Sequence, residues 1–467
     1  MRHETRLAPV VLLCVSLGLT PGCGEPARQP EEAASAAEAR IESEAPAGEA
    51  VTGETAEDVQ NSERARSGHL VLMGGGFWVR RRDSGSLADP SDELRNLPYV
   101  SGAARRDAEL GVTIYDPQRA ASGLNLYTSA HGSEALLMDM EGEVLYRWSY
   151  EIDELWPAPP SAEQTQPRGF FRRVHLFGDG DLLVIFENTG LIRIDRFSEL
   201  EWSHAGRNHH DLAVAGDGTI LVLGSEEKVV PELRESPIIA DNVTTLTPDG
   251  EVLDVLDIVG CLLASPYPAL IAMARESSIK DTLHTNTLEI LDGTQAARSP
   301  VFREGNLLVS MRNLGPGVIG ILDPEKRALV WAAWGPWRMQ HEPVLLPGGN
   351  MLLFDNRALE PDEPPSAGSS RVLEFDPLEK RIVWEYVGTP EAPFYSRLCG
   401  TASRLANGNT LVTESMYGRV FETTPEGEIV WEFNNPHVTG PDGEFVALIP
   451  ELIRLPLDFP RWPLAPR

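Results

Sequence analysis

A repeated hairpin constrains this chain more than any other feature. An apolar strand, a tight turn centred on Gly and a second apolar strand appear as Val174-His-Leu-Phe-Gly-Asp-Gly-Asp-Leu-Leu-Val-Ile185. The pattern returns at Leu212–Leu223, Pro343–Phe354 and Ala402–Thr413, with a fifth copy centred on Glu304–Val309 and a degenerate sixth at Ser122–Tyr127. Asp-Gly and Asn-Gly turns between apolar runs supply the positive φ that a tight hairpin needs. A second hairpin follows each copy and often ends in Trp: Leu136–Trp148, Ile192–Trp202, Val243–Leu253, Ile319–Trp331, Val372–Trp384 and Val420–Trp431. Two hairpins make a four-stranded antiparallel sheet. Six such units predict an all-β fold, a six-bladed β-propeller, in which radial repetition leaves only short edges. A linear β-solenoid would need shorter repeats and parallel strands. The recurring Trp reads as packing between blades, where a large ring covers the most apolar area.

The balance of the chain excludes some partners. With 70 acidic and 40 basic residues among 467, the formal charge is −30. Nucleic acid is not an expected partner, because binding it takes a basic face that displaces counterions. An anionic substrate would need a local cationic pocket. Residues 1–23 read as a lipoprotein-type signal peptide. Arg2 and Arg6 precede the apolar run Leu7–Leu19, and Leu19-Thr-Pro-Gly-Cys23 resembles a lipidation box with Thr20 where Leu is usual. The expectation is an exported periplasmic or cell-envelope lipoprotein tethered through Cys23, with inner or outer membrane left open. An ordinary secretory signal with an incidental Cys is the alternative. The apolar run is too short to span a bilayer. Residues 24–67 read as a disordered tether poor in large apolar residues. Residues 68–120 read as an N-terminal extension, 121–467 as the propeller, and the tail from Phe445 as packing back on its body. Cys261 and Cys399 either pair or remain free thiols, and no ligand spacing suggests zinc.

The repeat also locates chemistry. Counting back eight residues from the turn glycine gives His210 from Gly218 and His341 from Gly349. His284 opens the equivalent strand of the unit between them. The same count gives Arg172 from Gly180 and Gly400 from Gly408. The first strand of each blade lines the axis, so His210, His284 and His341 should converge at one pole. Arg312, seven residues past Gly305, returns to that pole, and Asn286 shares a side with His284. Imidazoles, a guanidinium and an amide suit a tetrahedral oxyanion, and a His can serve as nucleophile. A three-His metal site is the rival, disfavoured by the cation beside it. His209 competes with His210 for the inward position. His204 and His437 read as structural or solvent-exposed. No carboxylate pair for glycoside hydrolysis and no phosphate loop is evident.

At these residues the chain resembles the bacterial aryl-sulfate sulfotransferases. The matching pieces are Gly123–Tyr127, Leu137–Gly142, His209-His-Asp211, His284-Thr-Asn286 and Ser310-Met-Arg312. They continue with Gln340–Asn350, Phe354-Asp-Asn356, Asn407–Leu411 and Gly418–Glu422, so the similarity runs from about residue 110 onward. The resemblance implies a six-bladed propeller and ping-pong transfer of a sulfuryl group from an aryl sulfate donor to a phenolic acceptor. It implies neither a cofactor nor a nucleotide sulfate donor. It assigns His341 as the residue that becomes sulfated. Arg312, His284, His210 and Asn286 would hold the sulfuryl and phenolic oxygens, with loops such as 259–279 at the channel mouth setting the acceptor. Residues 68–120 are too short for a full N-terminal β-sandwich, which leaves dimerisation and oligomeric state open. Two other classes compete: a non-catalytic envelope propeller that scaffolds proteins, and a quinoprotein-like propeller, which has more blades and a cofactor site not matched here.

Overall fold

A computed structural model describes residues 109–156, 169–357, 369–389, 392–439, 443 and 445–459, together with the strands at 70–73 and 76–80. The signal peptide, Cys23 and the tether lie outside the described residues.

Six antiparallel sheets form the propeller expected from the repeat. Blade 2 runs from Arg173–Leu176 through Leu182–Phe186 and Gly190–Ile194 to Leu200–Ala205, from axis to rim. Blade 3 begins with Asn208–Val214, blade 4 with Thr285–Ile290, blade 5 with His341–Leu345 and blade 6 with Thr401–Arg404. Blade 1 is built differently from the others. Its innermost strand is Leu452–Leu455, from the far end of the chain, and it pairs antiparallel with Leu124–Thr128. Ser122–Tyr127 is therefore not a first strand followed by its partner. It is the second strand of a blade whose first strand arrives over 300 residues later in sequence, and the tail packs back as part of that sheet. At the other edge, Gly111–Tyr115 adds a fifth strand to blade 6. Part of the 68–120 extension thus belongs to a propeller sheet. Leu70–Met73 and Gly76–Arg80 form a separate small sheet with Phe445–Ala447 and Val438–Thr439.

The core lies between blades. Each of six apolar clusters joins two consecutive blades, for example Leu124, Trp148, Phe171 and Val184 between blades 1 and 2. Tyr127, Leu136, Trp431 and Phe433 close the ring between blades 6 and 1. The tryptophans do what their spacing suggests. Trp202 Nε1 donates to Pro248 O of the next blade at 3.1 Å, Trp384 Nε1 to Pro425 O at 2.9 Å and Trp431 Nε1 to Met140 O at 2.9 Å. Trp431 is fully buried and Trp202 and Trp384 are half-buried, and in each the one indole donor caps a turn of the neighbouring blade. Arg454 of the closing strand bonds Asn125 Oδ1 at 2.6 Å and Glu422 of blade 6 at 3.0 Å, so the seam is polar as well as apolar.

The insertion at 259–279 contains two short helices, Ile258–Leu263 and Pro268–Glu276, the first capped by Asp257 accepting from Val259 N. Their apolar residues Val259, Leu262 and Leu270 pack into the cluster between blades 3 and 4. Among the described residues no helix is long and apolar enough to cross a membrane.

The closing joint yields a measurable expectation. Trp431→Phe shrinks a fully buried indole to a phenyl and leaves the Met140 carbonyl without its donor, which together should cost at least about 1–3 kcal/mol of unfolding free energy in urea titration. A change within ~0.5 kcal/mol would mean that the bond does not bear on closure.

Candidate active site

The inner strands of blades 3, 4 and 5 are each interrupted by a β-bulge beside their histidine. The register slips between Asn208 and Leu212, between Thr285 and Leu288, and between His341 and Val344. Bulges re-aim side chains at sheet edges. Here His210 (φ 55°), His284 (φ 49°) and Glu342 (φ 50°) take left-handed backbone that non-glycine residues avoid. Ten such residues are found among the described ones, and Asn188, His210, His284 and Cys399 all line one cavity. Strain of that kind persists where surrounding structure overrides it, often at functional sites.

The cavity holds about 280 Å³ at one end of the axis. His210, His284, His341 and Arg312 all line it, as the repeat arithmetic expects. His209 lines it too, so the two adjacent histidines share the site. Arg172, Arg207, Glu187, Asp241 and Asp281 complete the polar wall, and Phe170, Ile239, Leu398 and Leu448 form an apolar one. Asn286 is not brought to this wall. It is buried, and its amide donates to Gln340 O at 2.9 Å, fixing the residue before His341. None of residues 259–279 reaches the lining, contrary to their expected place at the channel mouth, because their apolar faces are drawn into the core between blades. Cys261 and Cys399 are free thiols, the first buried in that core and the second on the cavity wall.

Hydrogen bonds set the state of each ring. His341 Nδ1 faces Asn356 Oδ1 at 2.7 Å and Met339 O at 3.0 Å. Asn356 cannot turn over, because its Nδ2 donates to Ser396 O at 2.8 Å and Cys399 O at 2.6 Å. Both neighbours of Nδ1 are acceptors, so Nδ1 carries the proton and Nε2 the lone pair. His284 Nδ1 donates to Asp281 Oδ2, and its Nε2 lies 3.2 Å from His210 Nε2. His210 Nδ1 is 3.0 Å from His209 Nδ1, whose far nitrogen lies 3.7 Å from Asp241. With neutral rings, His209 donates to His210 and His210 to His284, forming one directed chain.

The charges follow from burial. Burial first, and then Arg312, push His341 well below the usual imidazole range, against the Asn356 bond, which raises it. His210 is also pushed well below that range, by burial and then by His284 and Arg172. His284 is lowered by burial and Arg312 despite its Asp281 partner. Arg172 pairs with Glu187 at 3.1 Å. Arg312, by contrast, has a buried Nε without a hydrogen-bond partner. A buried guanidinium donor left unpaired is costly, and the Arg312 side chain lines the cavity that would receive an oxyanion.

The arylsulfotransferase (ASST) family profile matches residues 173–436, more than half of the chain. The chain belongs to the arylsulfotransferase family. At that level the protein is a sulfotransferase-type enzyme acting on small aryl molecules. Comparison with curated proteins gives no match. Solved structures similar to it include a Bacteroides caccae protein of unknown function, at 13% identity over 68% of this chain and 94% of that one, with a TM-score of 0.41. A streptogramin B lyase is 11% identical over 74% and 93%, with a TM-score of 0.39. BamB from Moraxella catarrhalis is 12% identical over 81% and 95%, with a TM-score of 0.32. None of these three bears on function.

Several of these arylsulfotransferase site residues escaped the sequence reading. Arg172 sat at the position the count-back pointed to. Counting seven past the turn glycine, which found Arg312, also gives Glu187 from Gly180, Ser225 from Gly218 and Asn356 from Gly349. Glu187 and Ser225 line the cavity and Asn356 holds His341.

The depressed imidazoles predict a pH dependence of stability. Each folded-state value lies below the unfolded one, so the unfolded chain takes up protons first as pH falls. The stability involved is complete above about pH 6.5 and is lost on acidification, by up to ~1.4 kcal/mol per pH unit for each ring. His341→Asn has one such ring fewer. The stability difference between wild type and variant should therefore change by about 1 kcal/mol between roughly pH 6 and 5 in urea titrations. A pH-independent difference would mean that folded His341 is protonated like a free imidazole.

Proposed function

We propose that the protein moves a sulfuryl group from an aryl sulfate to a phenol, with His341 carrying the sulfur between them. The observation that supports this most is the pairing of an Nε2 lone pair on His341 with a buried, unpartnered Arg312 donor in the same cavity. Arg312 and the neighbouring imidazoles would hold the sulfuryl oxygens, and the apolar wall would take the aryl ring. His341 Nε2 attacks sulfur, an N–S bond forms, and the S–O bond to the donor phenol breaks. The donor leaves as phenolate, its charge balanced by the sulfated imidazole and by Arg312 beside it. In the second half an acceptor entering as phenolate attacks sulfur, an S–O bond forms, and the N–S bond breaks with its electron pair returning to His341 Nε2. Both halves balance without a nucleotide donor.

The neutral state of His341 suits this role, since a protonated imidazole has no lone pair to offer. Asn356 serves it by orienting the ring, as an orienting partner does for a catalytic base. Donors already in place around developing charge are worth several kcal/mol of barrier, about 2.7–4 kcal/mol per donor in a well-studied hydrolase.

Purified protein with a chromogenic aryl sulfate should release phenol quickly only when an acceptor phenol is added. His341→Asn should retain its far-UV spectrum and lose at least ~10³-fold of that rate, the scale on which removing an activated nucleophile acts. Wild-type activity in His341→Asn would overturn the reading, as would release at full rate in water alone.

A further inference from the structure

His131, Glu134 and His437 form a second cluster of metal-ligating side chains, apart from the residues lining the axial cavity. His131 and Glu134 flank the turn between Leu124–Thr128 and Glu134–Met138 of blade 1, and His437 follows the last strand of blade 6. One ligand atom from each lies within 4.8 Å of the others. The two imidazoles are parallel, with centroids 3.3 Å apart and planes inclined by 7°. His131 Nε2 is 2.7 Å from Glu134 Oε1. Arg147 bonds the other carboxylate oxygen, Oε2, and so turns Oε1 toward the rings.

Two nitrogens in this cluster are buried without a hydrogen-bond partner, His131 Nδ1 and His437 Nε2. Buried polar atoms are nearly always paired, so two orphans in one cluster call for a physical reason. We propose that His131, Glu134 and His437 bind a divalent transition metal, with zinc as the best fit. Two imidazoles and one carboxylate are a borderline donor set that zinc accepts in tetrahedral sites, with one position left for water. Tetrahedral bonds of about 2 Å hold donor atoms roughly 3.3 Å apart, so His131 Nε2 and Glu134 Oε1, now 2.7 Å apart, would separate and release their shared proton as the ion binds. The rings would splay from their parallel stack to point at the ion. Arg147 opposes the ion's charge, but its side chain is 55% exposed, so water screens much of that opposition.

The location gives such an ion a structural consequence. His437 begins the segment that crosses from blade 6 and ends in Leu452–Leu455, the strand that completes blade 1. A metal held by His131, Glu134 and His437 clips that segment to blade 1 and stabilises the closed ring by linkage. It takes no part in sulfuryl transfer.

Titrating the metal-free, full-length protein with zinc chloride should show one bound equivalent and a rise in Tm. His437→Ala and His131→Gln should each weaken binding at least tenfold and abolish the rise. In wild type, zinc should also protect the peptides carrying His131 and His437 from diethyl pyrocarbonate, a readout that needs no variant to fold. The proposal is overturned if wild type binds no zinc at micromolar concentrations or if those peptides are unprotected. It also fails if binding survives His437→Ala and disappears in His284→Ala, which would put the ion in the axial cavity.

Discussion

The architecture turns on one buried guanidinium. Arg173, 6% exposed, stands on the axis at the start of blade 2 and touches three carboxylates from three other blades. Its Nε bonds Asp211 of blade 3 at 2.8 Å and its Nη2 bonds Glu342 of blade 5 at 2.6 and 2.7 Å. Its Nη1 pairs with Glu451, which leads into the closing strand of blade 1. Asp211 then accepts the Leu288 amide of blade 4 at 2.7 Å. One cation thus ties five inner strands together. Removing one partner of a buried ion network strands the rest, at a cost of about 3–5 kcal/mol. A single Arg does not neutralise three acids: burial, against Arg173, pushes Glu342 above the usual carboxylate range.

That hub is also the floor of the site. Arg172, His210 and His341 line the cavity, while their chain neighbours Arg173, Asp211 and Glu342 meet in the hub. Each cavity residue is bonded in the chain to a hub residue, so fixing the hub fixes the backbone that carries it. The bulges and left-handed residues are where this arrangement is strained. The ion network below and the amide contacts of Asn286 and Asn356 behind hold it in place. Within a chain of charge −30, the result is a compact cavity in which burial disfavours the charged form of His210, His284 and His341 and in which Arg312 keeps an unpaired donor.

Much of this was legible in the sequence, for a reason specific to propellers. Turn glycines mark each blade, and fixed offsets from them carry a residue to a fixed height on the axis. The two offsets placed His210, His341 and Arg312 correctly and pointed to Arg172 without giving it a role, and seven past the other turn glycines would have added Glu187, Ser225 and Asn356. Three things were less legible. The closing strand Leu452–Leu455 lacks the turn that would mark it, because its partner lies at the other end of the chain. Asn286 shares a strand side with His284, yet the bulge after Thr285 turns it toward Gln340 O. The segment 259–279 reads as a loop at the channel mouth, but the direction of its apolar faces depends on the gap between blades 3 and 4.

The account rests on where sulfur resides between donor and acceptor. The most direct measurement is to mix the protein with an aryl sulfate without acceptor, quench in alkali, where an N-linked sulfuryl group on imidazole survives, and map the modified peptide by mass spectrometry. The structure predicts a single sulfuryl group on the peptide carrying His341, removed by adding a phenol before the quench. A sulfuryl group on another residue, or none while acceptor-dependent turnover proceeds, would contradict it.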